Sequence, residues 1–117
     1  MELSALIRKQ IEADKHRGFE VAFETDSERH EQLQRDLVGL VGEVGEFANL
    51  LKKVGLTLTT PGYSGPTLAQ ATPDLREELA DATIYIFRLS AILGGNLERD
   101  LLDKMKTNDQ RYRSLDR

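Results

Sequence analysis

The sequence predicts an all-α fold, a four-helix antiparallel bundle, from three observations. Apolar residues recur at alternating steps of four and three along two long segments, capping residues and glycines punctuate the chain at helical intervals, and most connections are short. The 117 residues fit a single domain spanning 1–117. A domain this small buries a modest share of its surface, so assembly into a homodimer or homotetramer is a reasonable expectation.

The first predicted helix covers roughly residues 2–16, with Leu3, Leu6, Ile7 and Ile11 on one side, and stops near Arg17-Gly18. Residues 19–23 have no helical stripe and read as a connector with two aromatic anchors, Phe19 and Phe23. Helix two opens at Thr25-Asp26-Ser27, where any of the three can cap. Its stripe is Leu33, Leu37, Leu40, Val44, Phe47 and Leu51, the pattern of a helix packed lengthwise on another. Lys52-Lys53 suit its last turn and Gly55 its end. Residues 56–72, rich in Thr, Gly and Pro, read as a loop in which Leu56-Thr57-Leu58-Thr59 can add a short extended stretch. Thr72 as cap and Pro73 at the first helical position start helix three. The stripe there is Leu75, Leu79, Ala82, Ile86, Leu89 and Leu93, ended by Gly94-Gly95. Asn96 then caps a fourth helix over roughly 97–112, with Leu97, Leu101, Met105 and Tyr112 facing inward.

Composition excludes several function classes. Without cysteine there is no disulfide, zinc–thiolate site or thiol nucleophile. No apolar run is long enough to span a bilayer and the N-terminal stretch lacks an apolar signal core, so a cytoplasmic location and no membrane partner are expected. A net charge of −4 argues against a nucleic-acid polymer as partner, because such affinity comes from Lys and Arg neutralising phosphates. If the ligand is anionic, a bound metal has to attract it.

Two acidic pairs supply a place for that metal. Residues three apart on a helix project together, so Glu43 pairs with Glu46 and Glu78 with Asp81. Each of the four lies one position before a stripe residue, namely Val44, Phe47, Leu79 and Ala82. Both pairs therefore flank their stripes on the same side, and packing the stripes together brings four carboxylates into one groove. Like charges there repel and raise one another's pKa unless a cation compensates. Oxygen ligands without His or Cys select a hard ion, Mg²⁺ or Mn²⁺. Gly39, Gly42 and Gly45 reinforce the reading, since each costs about 1 kcal/mol against Ala inside a helix and asks for a close approach beside Glu46. A di-iron bundle needs Glu-x-x-His pairs, whereas His16 and His30 lie elsewhere and read as surface or capping residues. On the fourth helix Lys104, Asn108 and Arg111 share a face suited to phosphate oxygens.

The segments LVGLVGEVGEFANLLKK and LREELADATIYIFRLSAILGGNLERDLLDKMKTNDQRY resemble the MazG-like nucleotide pyrophosphohydrolases of the all-α NTP pyrophosphatase superfamily, over roughly residues 33–113. That resemblance implies a helical bundle assembling as a dimer or tetramer, Mg²⁺ dependence, and cleavage of an NTP or dNTP to the monophosphate and pyrophosphate. It implies Glu43, Glu46, Glu78 and Asp81 as metal ligands, with Glu43 or Glu46 also a candidate general base, and Lys104, Asn108 and Arg111 as phosphate-binding residues. Tyr85 matches a position where relatives place an aromatic near the base. Two departures stand out: the segment between Glu46 and Glu78 is long, and there is no tryptophan to stack a base. Phosphoribosyl-ATP pyrophosphatases of the same superfamily carry a histidine where this chain has Ile86. The competing readings are a nucleotide-binding or regulatory module that does not hydrolyse its ligand, and a purely structural helical adaptor.

Overall fold

The computed structural model describes residues 1–117 as four α-helices, with no strand. They are α1 (Leu3–His16), α2 (Asp26–Thr59), α3 (Leu68–Ile92) and α4 (Leu97–Arg111), followed by a 3-10 turn at Arg113–Leu115. The all-α bundle of the sequence reading is what forms.

Local chemistry sets the ends. Thr25, the first of the three candidate caps, accepts from the Glu28 amide and starts α2. Gly18, at φ +83°, lets the chain turn out of α1, a conformation that a Cβ disfavours. The Asn96 side chain caps α4 as expected by accepting from the Arg99 amide. Two boundaries differ from the sequence reading. Helix α2 runs through Gly55 to Thr59, so the LTLT segment is helical rather than extended; the Thr57 and Thr59 hydroxyls donate back to the Lys53 and Gly55 carbonyls. Helix α3 starts at Leu68 rather than Pro73, because Thr67 and Gln70 form a reciprocal capping box one turn earlier. Pro73 is carried inside the helix, and the loop shrinks to residues 60–67.

Helices α2 and α3 make the main packing seam and run antiparallel. Going up α2 and down α3, Arg29 meets Ile92, Asp36 meets Arg88, Gly39 meets Tyr85, and Val54 meets Leu75 and Ala71. Burial shows which faces meet. On α2 the shielded positions include 36, 40, 43, 47, 50 and 54, and on α3 they include 71, 75, 78, 82, 85, 88 and 92, with Phe87 buried beside them. This seam is rotated from the predicted stripes. Leu40, Phe47, Leu75 and Ala82 belong to both and Leu33 and Leu89 are half-buried, but Leu37, Val44, Leu51, Leu79, Ile86 and Leu93 are exposed. The predicted stripes merged two apolar faces, one packed within the chain and one left open. The open face of α2 includes Val38 (70% exposed) and Val41 (60%).

Helix α1 packs on α3. Helix α4 leans on α1, where the Ser4 hydroxyl donates to Glu98 Oε2 at 2.8 Å. Of the α4 residues expected to face inward, Leu97 is half-buried, while Leu101, Met105 and Tyr112 are exposed. The apolar core sits at one end of the seam, with Val54, Ala71 and Leu75 buried and Phe47 and Leu50 packed against them. No helix is long and apolar enough to cross a membrane.

Candidate metal centre and adjoining cavity

The rotation of the seam changes the setting of the acidic residues. Glu43 and Glu78 lie in the α2–α3 contact itself, not merely beside it, and both are half-buried. Carboxylate oxygens of Glu43, Glu46 and Glu78 all come within 4.8 Å of one another. Glu46 stays exposed. A recess lined by Val44, Phe47, Leu79 and Ala82 adjoins Glu43 and Glu78. Glu43 Oε2 and Glu78 Oε2 are buried with no hydrogen-bond partner. Such orphaned oxygens are costly and call for a donor or a cation.

Electrostatics agree with the geometry. A protonated Glu78 can donate to the Glu43 carboxylate, and this is the main reason that the Glu78 carboxyl is pushed up to about 8. Burial and the neighbouring Glu46 carboxylate add to the shift. Without a cation the cluster therefore holds a proton. Three carboxylates, two of them with orphaned oxygens, and no nitrogen or sulfur ligand fit a hard divalent ion such as Mg²⁺.

Not every residue singled out in the sequence joins this group. Asp81 lies outside the tight cluster but lines a neighbouring cavity of about 460 Å³ together with Glu43. Tyr85 is half-buried and lines the same cavity. Its ring packs on Gly39, where a Cβ would overlap it, and this explains one of the three helix glycines. Gly42 and Gly45 have open space around them within the chain, so the close approach expected there is not met by a neighbour in the same chain. Lys104, Asn108 and Arg111 lie on α4, which packs against α1 rather than on the α2–α3 seam. None of the three lines the cavity, and Arg111 instead stacks over the Tyr112 ring at 5.3 Å. His16 and His30 are exposed and away from the cluster, in line with the sequence reading.

The cavity also contains a charged network that the sequence reading missed. Arg88, buried at 6% exposure, donates from Nε to Asp36 Oδ1 at 3.1 Å and from Nη1 to Asp14 Oδ2 at 3.2 Å. Its remaining bonds go to the Phe19 and Glu20 carbonyls, which fastens the connector 19–23 onto α3. Burial works against the guanidinium charge, but Asp36 and then Asp14 more than offset it and hold the Arg88 pKa above its ordinary value. A signal for this network was present. Asp36 precedes Glu43 by seven residues and Arg88 follows Asp81 by seven, two helical turns along the same faces as the acidic pairs.

No family model matches the chain, and no solved structure matches it. Among curated proteins it is similar to dCTP pyrophosphatase 1 of Mus musculus, 40% identical over 93 residues, and to that of Homo sapiens, 38% identical over 95 residues. The protein of the same name from Bos taurus is 39% identical over 93 residues. Each match takes in 80% of this chain but 53% of the relative, so the chain spans about half the length of the curated relatives it resembles.

Proposed function

We propose that this chain is a MazG-like nucleoside triphosphate pyrophosphohydrolase, a single domain over 1–117 that acts on a deoxynucleoside triphosphate with dCTP as first candidate. The observation that carries this reading is the pair of buried, unpartnered oxygens on Glu43 and Glu78 facing Glu46. An enzyme that gathers a triphosphate around Mg²⁺ needs such a set of oxygen ligands. Similarity to dCTP pyrophosphatases across 80% of the chain supports the reaction class.

In this reading Glu43, Glu46 and Glu78 hold the ion and Asp81, at the cavity edge, completes its surroundings. Bound Mg²⁺ would neutralise phosphate charge and favour loss of a proton from the attacking water. Water oxygen bonds to the α-phosphorus, the α–β phosphoanhydride bond breaks, and pyrophosphate leaves. Glu43 or Glu46 takes the proton of that water. The nucleoside occupies the adjoining cavity, whose volume lies in the range of small-molecule sites, with Tyr85 near the base.

The phosphate-binding role of Lys104, Asn108 and Arg111 is met by α4 of a second copy. Two features support a homodimer or homotetramer. Helix α4 leaves these residues off the seam, and the open apolar face of α2 with its unfilled Gly42 and Gly45 suits close helix packing. The setting is a soluble, cytoplasmic nucleotide pool. Product analysis over a panel of dNTPs with Mg²⁺ is the test. Release of orthophosphate in place of pyrophosphate, or activity that survives Glu46→Ala and Asp81→Ala, would sink the mechanism. Nucleotide binding without turnover would favour the regulatory module.

A further inference from the structure

We infer that Arg88 is a positioning residue: it pins the connector 19–23 as a wall of the nucleoside cavity and so governs nucleotide affinity rather than the chemical step. The inference rests on the proposed pyrophosphohydrolase reading and adds to it a residue two turns along α3 from Asp81. The connector has little else to hold it. The Phe19 amide donates to the Asp14 carbonyl, but residues 20–23 make no backbone–backbone hydrogen bond. The side chain that bonds to this backbone is that of Arg88, from Nη1 to the Phe19 carbonyl and from Nη2 to the Glu20 carbonyl, both at 3.2 Å. Asp36 on α2 and Asp14 on α1 fix the same guanidinium from its other side. One side chain thus ties α1, the connector and α2 to α3.

Two features separate this role from stability alone. First, Arg88, Asp14 and Phe19 all line the cavity that also takes in Glu43 and Asp81, so what Arg88 fastens is part of the cavity wall. Second, apolar residues of similar volume stabilise a core as well as a buried ion pair or better, yet they offer the two carbonyls no donor. What arginine adds is place: five N–H groups in a rigid planar fork reach acceptors on three elements. Its bonds reach none of Glu43, Glu46 and Glu78, which leaves the acidic cluster independent of it. A wall that is in place for only a fraction of the time raises the apparent dissociation constant by the inverse of that fraction. A nucleotide that has bound still reacts at the same rate.

The test is steady-state hydrolysis by the wild-type chain and by Arg88→Lys of dCTP, or of whichever dNTP the wild type cleaves fastest. Lysine keeps a cation between the two aspartates, but its three N–H groups leave from one atom and cannot span both carboxylates and both carbonyls. Three readings are expected together. KM rises by about tenfold or more, kcat stays within about twofold, and the Mg²⁺ concentration for half-maximal rate at saturating nucleotide stays within about twofold. Failure of any one of the three overturns the inference. A fall in kcat at constant KM would make Arg88 a stability residue whose loss only lowers the folded fraction, and a shifted Mg²⁺ requirement would tie it to the acidic cluster. Should Arg88→Lys fail to fold by circular dichroism, the same three readings on Arg88→Met/Asp14→Asn/Asp36→Asn decide. That variant orphans no charge, keeps the shape of both aspartates and removes the donors to the connector. Wild-type turnover with a variant that departs from this pattern defeats the inference alone, whereas no pyrophosphate release from any dNTP by the wild type defeats the proposed function and the inference together.

Discussion

Arg88→Met is expected to cost about 3–5 kcal/mol of folding stability, toward the upper end of that range. Methionine fills much of the arginine volume, so the change removes donors rather than packing. Two carboxylates, with side chains 8% and 6% exposed, lose their only charged partner, and the Phe19 and Glu20 carbonyls lose their donor. Removing one partner of a buried ion pair typically costs about 3–5 kcal/mol, because the uncompensated charge stays behind. The whole stability of a domain is only about 5–15 kcal/mol, so the loss is a large fraction of it. At about 3–6 °C per kcal/mol for a chain of this size, the melting temperature should fall by roughly 10–30 °C. Circular dichroism melts and urea unfolding at fixed protein concentration measure it. The same physics predicts rescue: in Arg88→Met with Asp14→Leu and Asp36→Leu no buried charge is orphaned, and stability should return to within about 2 kcal/mol of wild type. A single variant that loses less than about 1 kcal/mol, or a triple variant no better than the single, would refute the reasoning.

Further outcomes follow from the acidic cluster and its surroundings. Between its ordinary value near 4.5 and about 8, Glu78 keeps its proton in the folded chain after the unfolded chain has lost it. Stability in chelator should therefore decrease as pH rises through that window. Added Mg²⁺ should raise the melting temperature more at about pH 8.5 than at about pH 6, since it must displace that proton; a pH-independent gain in scanning fluorimetry would contradict the cluster. Glu43→Gln removes one of the repelling charges, so it should stabilise the ion-free chain, abolish the Mg²⁺ response and lower pyrophosphate release by about 100-fold or more. Gly39→Ala gains about 1 kcal/mol of helix propensity but drives a Cβ into the Tyr85 ring, whose hydroxyl oxygen lies 2.8 Å from that position. With overpacking costing about 1–3 kcal/mol, the net should be a loss of up to about 2 kcal/mol, read in urea unfolding, together with reduced activity. Finally, inactive Glu46→Ala and inactive Lys104→Ala/Arg111→Ala chains should regain activity when mixed, because one can complete the other's site; mixtures that stay inactive would place the phosphate contacts within one chain.

What the sequence by itself determined is the set of elements that local chemistry controls. Periodicity placed four helices, Gly18 and Asn96 marked a stop and a start, and the i, i+3 spacing put Glu43 with Glu46 on one helix face. Local signals also fixed the start of α3, since Thr67-x-x-Gln70 was legible and Pro73 drew the boundary to the wrong turn. Only the tertiary structure decided which face of α2 meets which face of α3. Apolar residues on α2 and α3 cover more than one face, and periodicity alone does not say which of them is packed and which is left open. The seam turned onto Glu43 and Glu78, and burial there converts common surface residues into carboxylates with orphaned oxygens. It also joined Asp14, Asp36 and Arg88, separated by up to 74 residues, into one network. The seven-residue spacings put Asp36 and Arg88 on the same faces as the acidic pairs, but which residues meet across the seam is a fact of distance in space.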